Sequence, residues 1–132
     1  FIARGNERRN YNENEIFEIF RERGFQKVTL GELSLNEQIS LISNAGIIAG
    51  PTGAAWTNLI FCREGTKCLC WMPEEYGEFS AFSNLAKIVG ADMYYVTFKT
   101  NAKSVGELYS ANYSIDPQEI KQELEKLLNT AH

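Results

Sequence analysis

The sequence is poor in the residues that carry most acid–base and metal chemistry. Its one histidine is His132, the last residue. That excludes histidine triads and histidine metal clusters within the chain, and a terminal imidazole is a poor general base. Three cysteines, Cys62, Cys68 and Cys70, leave an odd thiol and lack the spacing of a zinc site. Cys68 and Cys70 share one face of an expected strand and read as small buried thiols, which suits a reducing compartment. No apolar run is long enough to span a bilayer. Positive charge is not in excess either: 13 Lys and Arg against 17 Asp and Glu leave a net charge of −4. The chain therefore has no overall basic field for nucleic acid, and the patch of Arg4, Arg8 and Arg9 suits a small anion or a solvated loop.

What is present is an ordinary globular composition. At 132 residues, 44% hydrophobic and 23% charged, the chain fits one domain with a single core. It opens on Phe1, which reads as part of a strand, so we expect a piece of a longer protein. Asn112-Tyr113-Ser114 is a formal glycosylation acceptor too short to decide anything.

The stretch from Gly46 to Phe61 organises the rest. Ile47 and Ile48 form an apolar run, Gly50-Pro51 breaks it, and Ala54, Ala55, Trp56, Leu59 and Ile60 resume at helical intervals. This predicts strand, tight turn and helix. Gly50 and Gly53 would let backbone approach closely at the carboxyl end of the strand, where the free N–H groups of a new helix suit an anion. Thr52, Thr57 and Asn58 are the polar residues here, and they line a pocket or merely cap and pack.

Around this stretch the pattern alternates. Phe1 to Arg4 reads as a strand, followed by a polar loop from Gly5 to Tyr11. A helix opens at Asn12, with Glu15 in the capping-box position and Gly24 as its stop. Phe25 to Leu30 reads as a second strand. Ser34 and Glu37 form another capping-box pair for a helix through Ile39, Ile42 and Ala45. Lys67 to Met72 is a fourth strand, then a loop with Glu74 and Glu75, a helix from Phe79 to Val89, and a fifth strand from Met93 to Phe98. The prediction is a Rossmann-like open parallel sheet of about five strands, order 2-1-3-4-5, with helices on both faces. Residues 1–98 form this domain, 99–115 a connector without firm pattern, and 116–132 a final helix capped by Asp116 and Pro117. That helix either packs on its own sheet or docks elsewhere, on another domain or as a dimer contact.

Three sequence words carry a resemblance. They are Phe1-Ile2-Ala3-Arg4 with Arg9 and Asn12, then Leu33 to Gln38, then Gly53-Ala54-Ala55-Trp56-Thr57-Asn58 with Phe61. Together, from Phe1 to about Phe98, they resemble the carboxyl-terminal part of the catalytic region of glycosyltransferase family 61, which includes capsular-polysaccharide-type enzymes. The resemblance implies the donor-binding half of a two-domain, GT-B-like enzyme. A nucleoside-diphosphate sugar, UDP-sugar favoured, would be the donor and a glycan the acceptor. It further implies Arg4 and Arg9 on the diphosphate, with Thr52, Gly53, Ala54 and Ala55 presenting backbone N–H groups to it. The loop from Thr29 to Ser34, with Glu32, would lie near base and ribose, and Asn12, Ser34, Gln38 and Asn58 would complete the donor site. The implied transfer is inverting and metal-independent, with no cofactor, in the cytoplasm or at the inner membrane surface. Its base would lie on an amino-terminal half outside this chain.

Two positions depart from the family's pattern: Thr52 where relatives often have histidine, and Cys70 where they often have an acidic residue. A second reading is a non-catalytic α/β module binding a nucleotide or a partner. A third, a dinucleotide enzyme, lacks its Gly-x-Gly-x-x-Gly after the first strand.

Overall fold

Two-residue alternation along the strands sets the layers. The computed structural model describes residues 1–3, 11–73, 80–98 and 112–129, and of Ala54, Ser80, Ala81 and Phe82 the backbone. Three strands, β1 (Ile47–Pro51), β2 (Lys67–Pro73) and β3 (Asp92–Phe98), form a parallel sheet in the order β1-β2-β3. Ile47 stands opposite Lys67, and Lys67 opposite Asp92. Successive side chains point to opposite faces, so Ala49, Leu69, Trp71 and Val96 enter one core layer and Ile48, Cys68 and Cys70 the other. Strands covered on both sides need apolar residues on both sides, and these have them.

Helices cover each face. On the first lie α1 (Glu13–Arg21), with Ile16 and Phe20, and a C-terminal helix (Pro117–Asn129), with Ile120, Leu124 and Leu127. On the second lie α2 (Leu35–Asn44), a 3-10 helix (Ala54–Phe61) and α3 (Ser80–Val89), through Ile42, Trp56, Leu59 and Ala86. We call the C-terminal helix α4. Its three buried side chains are worth ~1.5–3 kcal/mol each. That is enough to hold the helix on its own sheet. Asp116 starts it as the sequence predicts, its carboxylate accepting the Gln118 N–H at 2.9 Å.

The molecule is a mixed α/β fold, and three of the five expected strands form among the described residues. The other two survive as one parallel bridge, Ile2 to Val28. Phe1 N donates to Gln26 O (2.9 Å), Val28 N to Phe1 O (2.9 Å) and Ala3 N to Val28 O (2.7 Å). Ile2 N donates to Ala49 O at 2.7 Å. The hydrogen bonds thus follow the expected order, with the bridge on the β1 edge. The second segment is a short stretch between two turns. Gly24 turns the chain at a φ of 85° and a 3-10 turn (Leu30–Glu32) begins soon after Val28.

Two local expectations are corrected. Asn12 makes no capping bond to α1, because its side chain is taken up by Ile115. The helix after Gly53 is 3-10, not α. Trp56 and Leu59 are the deeply buried residues there, three apart, while Ile60 is 55% exposed. A buried line of period three is what a 3-10 helix presents, since its i and i+3 side chains eclipse. The capping box at Ser34 and Glu37 forms as predicted. Among the described residues no helix is long and apolar enough to cross a membrane.

Candidate functional site

In a parallel sheet the carboxyl ends of the strands share one edge, and ligands favour that edge. β1 ends at Pro51 and leads into Thr52-Gly53 and the 3-10 helix. Ile2 lies against Gly50, and a Cβ built on Gly50 would stand 2.9 Å from the Ile2 Cβ. Ile2 N donates to Ala49 O, and Phe1 and Ile2 line the same cavity as Ile47 and Ile48, so this segment lies beside β1. Gly50 therefore admits a neighbouring segment of the fold, where the sequence suggested room for a ligand. Beyond Ile2, Val28 carries the chain to the turn Leu30–Glu32.

The geometry divides the expected site residues. Arg4 and Arg9, with Arg8, lie outside the described residues, as do Glu74, Glu75 and His132. Glu32 is exposed at the end of its turn. Asn12 binds both backbone groups of Ile115, each at 2.8 Å. Ser34 is engaged with Glu37: its Oγ accepts the Glu37 N–H at 3.1 Å, and its own N–H donates to Glu37 Oε1 at 3.0 Å. Gln38 Nε2 donates to Leu30 O (2.9 Å) and Leu33 O (3.1 Å), tying α2 to the turn before it. Each of these three side chains thus holds the frame in place.

At the corner itself, Thr52 is buried and its N–H donates to Trp71 O at 2.8 Å, which removes that N–H from any ligand. Gly53 has an extended φ of 160°, and its carbonyl accepts the Trp56 N–H at 3.1 Å, the first bond of the 3-10 helix. The N–H groups of Ala54 and Ala55 precede that bond and have no partner within the helix. Trp56 Nε1 donates to Pro51 O at 2.8 Å and pins the helix start to the strand end. Asn58 is half-buried, with Nδ2 donating to Ala55 O at 3.0 Å.

Beneath the corner lies a polar layer. Burial is the main cause that pushes the Cys70 thiol up, with a hydrogen bond to Thr52 acting the other way. Burial likewise raises Cys68 to about 12. Both are inert neutral thiols near pH 7. The Thr52 and Cys70 positions that depart from the family's pattern are therefore in contact. The Ser83 and Tyr95 hydroxyls share a hydrogen bond of 2.6 Å on the same side of the sheet.

Sequence reasoning missed an aromatic column on the other face. Tyr11 stacks on Tyr113 with centroids 5.2 Å apart and planes 3° from parallel. Tyr113 stacks on Phe98 at 4.3 Å and 10°. The signal was Tyr113 itself, a large ring in a stretch without period. A cavity of about 580 Å³ lies elsewhere, between α2, the bridge and the amino end of β1, with a mainly apolar lining that includes Ile2, Val28, Ile42 and Ile48. Its lining holds none of the expected site residues.

Each of the three sequence words joins the fold at a definite point. The first passes beside β1 at Ile2, the second follows Val28, and the third follows Pro51. The family model for Glycosyltransferase 61 matches residues 1–69. The chain belongs to the glycosyltransferase 61 family. The match runs from the bridge to the middle of β2 and takes in all three words, and the chemistry of the family is glycosyl transfer. Cys70, β3 and α4 lie beyond it. No curated protein matches the chain.

Proposed function

We propose that this family member binds a nucleoside-diphosphate sugar, UDP-sugar first, at the carboxyl edge of its sheet, and is the donor-binding half of a two-domain, GT-B-like glycosyltransferase. One observation carries the reading: Ile2, inside the first family word, bridges Val28, which precedes the second, and lies against Gly50, which precedes the third. Arg4 and Arg9 follow Ala3 and would grip the diphosphate as bidentate forks. The free N–H groups of Ala54 and Ala55 would add donors from the helix start. Glu32 would accept from ribose hydroxyls, and Asn58 would border the diphosphate. Ser34, Gln38 and Thr52 serve this site mainly by holding its frame, since they bond to Glu37, to the Leu30 and Leu33 carbonyls and to the Trp71 carbonyl.

The chemistry fits such a donor set. Displacing a sugar from a nucleoside diphosphate builds negative charge on the leaving phosphate, and fixed positive donors stabilise it without a metal. Loss of one such donor costs about 3 kcal/mol of barrier. The acceptor hydroxyl needs a base, which we place on an amino-terminal half of the protein. The transfer would be inverting, to a glycan in polysaccharide biosynthesis, on the cytoplasmic side of the inner membrane.

Calorimetric titration with a panel of nucleoside diphosphates, with and without magnesium, tests the reading. The expected outcome is binding that is led by UDP, indifferent to magnesium, and weakened about a hundredfold in Arg4→Ala, in line with the loss of one charged donor. Unchanged affinity in both Arg4→Ala and Arg9→Ala would remove the arginines from the site. Sugar turnover by residues 1–132 alone would overturn the division of labour.

A further inference from the structure

We infer that Trp56 is a positioning residue for the donor site: its indole holds the loop from Thr52 to Ala55 in the shape that offers successive backbone N–H groups to the diphosphate. The ligand in this inference rests on the donor-site reading above. Trp56 closes the loop twice. Its own N–H donates to Gly53 O at 3.1 Å, and its indole Nε1 donates to Pro51 O at 2.8 Å. The second bond ties the 3-10 helix back to the last residue of β1, so the residues between cannot be drawn out without breaking it.

The loop is held from the sheet as well. Thr52 N donates to Trp71 O at 2.8 Å, and the Thr52 side chain is hydrogen-bonded to Cys70. Thr52 and Trp56 are thus its fixed ends, and their N–H groups are engaged within the fold. The N–H groups of Gly53, Ala54 and Ala55 lie between them and have no hydrogen-bond partner among the described residues. Those three are what the loop can offer an anion. A ligand that meets them already arranged has less backbone to order, and binds more tightly for that reason. The Trp56 ring itself is fully enclosed, in the core layer of Ile42, Leu59 and Cys70. Another ring could fill that space, but without an N–H it could not donate to Pro51 O.

The test is calorimetric titration of the whole 132-residue chain with UDP, at a temperature where each variant is folded by circular dichroism. Trp56→Phe is expected to weaken UDP about tenfold, as loss of one hydrogen bond to a buried carbonyl suggests. Benzothienylalanine in place of Trp56, which keeps the shape of the indole and lacks its N–H, is expected to do the same. In place of Trp71, whose indole N–H has no partner among the described residues, it leaves the affinity unchanged. Ile42→Ala opens the same core layer from α2; it lowers the melting temperature and keeps full affinity, which separates positioning from stability. In the unaltered chain the two indole protons give two magnetic resonances, and saturation with UDP is expected to move that of Trp56 and leave that of Trp71. Full affinity after loss of the Trp56 N–H, an equal loss in Ile42→Ala, or an unmoved Trp56 resonance at saturation would each overturn the inference, with the donor site left standing. Absence of UDP binding to the unaltered chain overturns the donor-site reading and the inference with it.

Discussion

The chain has two tryptophans, one in each core layer, and the contrast between them describes the molecule. Trp71 is buried on the face of α1 and α4, among the rings of Phe1 (5.7 Å), Phe20 (5.9 Å) and Tyr11 (6.1 Å). Its indole N–H has no hydrogen-bond partner among the described residues. Trp56 is equally buried on the face of α2 and α3, but its indole N–H donates to Pro51 O at 2.8 Å. One ring fills space. The other fills space and fixes the corner between strand and 3-10 helix. The surroundings differ: the Trp71 layer joins the rings of Phe1 and Phe20 to branched chains, whereas the Trp56 layer joins branched chains to Cys68, Cys70 and Ala86. Bulk stabilises one face, and placement of polar backbone is the work of the other.

Alanine should not distinguish the two. Trp56→Ala and Trp71→Ala are each expected to cost about 3–5 kcal/mol, because both empty a closed core. Phenylalanine should separate them. Trp71→Phe gives up only packing and discards an unsatisfied donor, whereas Trp56→Phe leaves the Pro51 carbonyl without its partner. The difference between the two phenylalanine variants is expected to be about 1–3 kcal/mol, read from urea denaturation midpoints at equal m-values. Equal costs would break the comparison.

How much of this was legible in the sequence depends on the range of the interactions. The helices were readable because their signals are local: Ser34 and Glu37 for a capping box, Gly24 for a stop, Asp116-Pro117 for a start. β1 and β2 were readable as buried apolar runs, and β3, where Val96 is the one buried residue, as a stretch whose period sets it apart from the helix before it. The Phe25 to Leu30 segment was not, since whether it extends beyond a bridge is decided by the 3-10 turn at Leu30 and by pairing with Phe1. The same limit affects the candidate site. The three words were visible in the sequence, but Asn12 reads as a helix cap until Ile115 is brought beside it. Gly50 reads as a ligand approach until Ile2 is found there. Contacts between distant positions decide both, and local pattern does not encode them.

Gly50 sharpens the comparison from the Trp56 side. It stands opposite Cys70, and its absent side chain lets Ile2 approach so closely that an added Cβ would lie 2.9 Å from Ile2 Cβ and 3.1 Å from Ile2 O. Part of that crowding is backbone, which cannot swing aside without disturbing the bond from Ile2 N to Ala49 O. Gly50→Ala is therefore expected to cost about 1–3 kcal/mol and to speed exchange of the Ile2 amide ahead of the β2 amides. If Ile2 keeps full protection in that variant, the close approach is not what seats the first sequence word beside β1.

The smallest effect concerns the start of α2, the helix that frames the Trp56 face from outside. Ser34→Ala removes the cap of the Glu37 N–H and is expected to cost about 1 kcal/mol. The reciprocal bond, from Ser34 N to Glu37 Oε1, favours the ionised carboxylate, and hydrogen bonding to Ser34 is the main reason that Glu37 titrates below the usual carboxylate range. A depressed folded pKa gives stability that is present above the unfolded value and lost as pH falls through the lower folded one. Amide exchange in the first turn of α2 should therefore quicken on acidification below the ordinary glutamate range, relative to that pH's intrinsic rate. Glu37→Gln keeps an acceptor without the charge and should flatten this pH dependence. The Trp71 amide, in the opposite layer, should not follow the Glu37 titration. If both layers loosened together at that pH, the cap would be holding the whole fold and not the frame of one face.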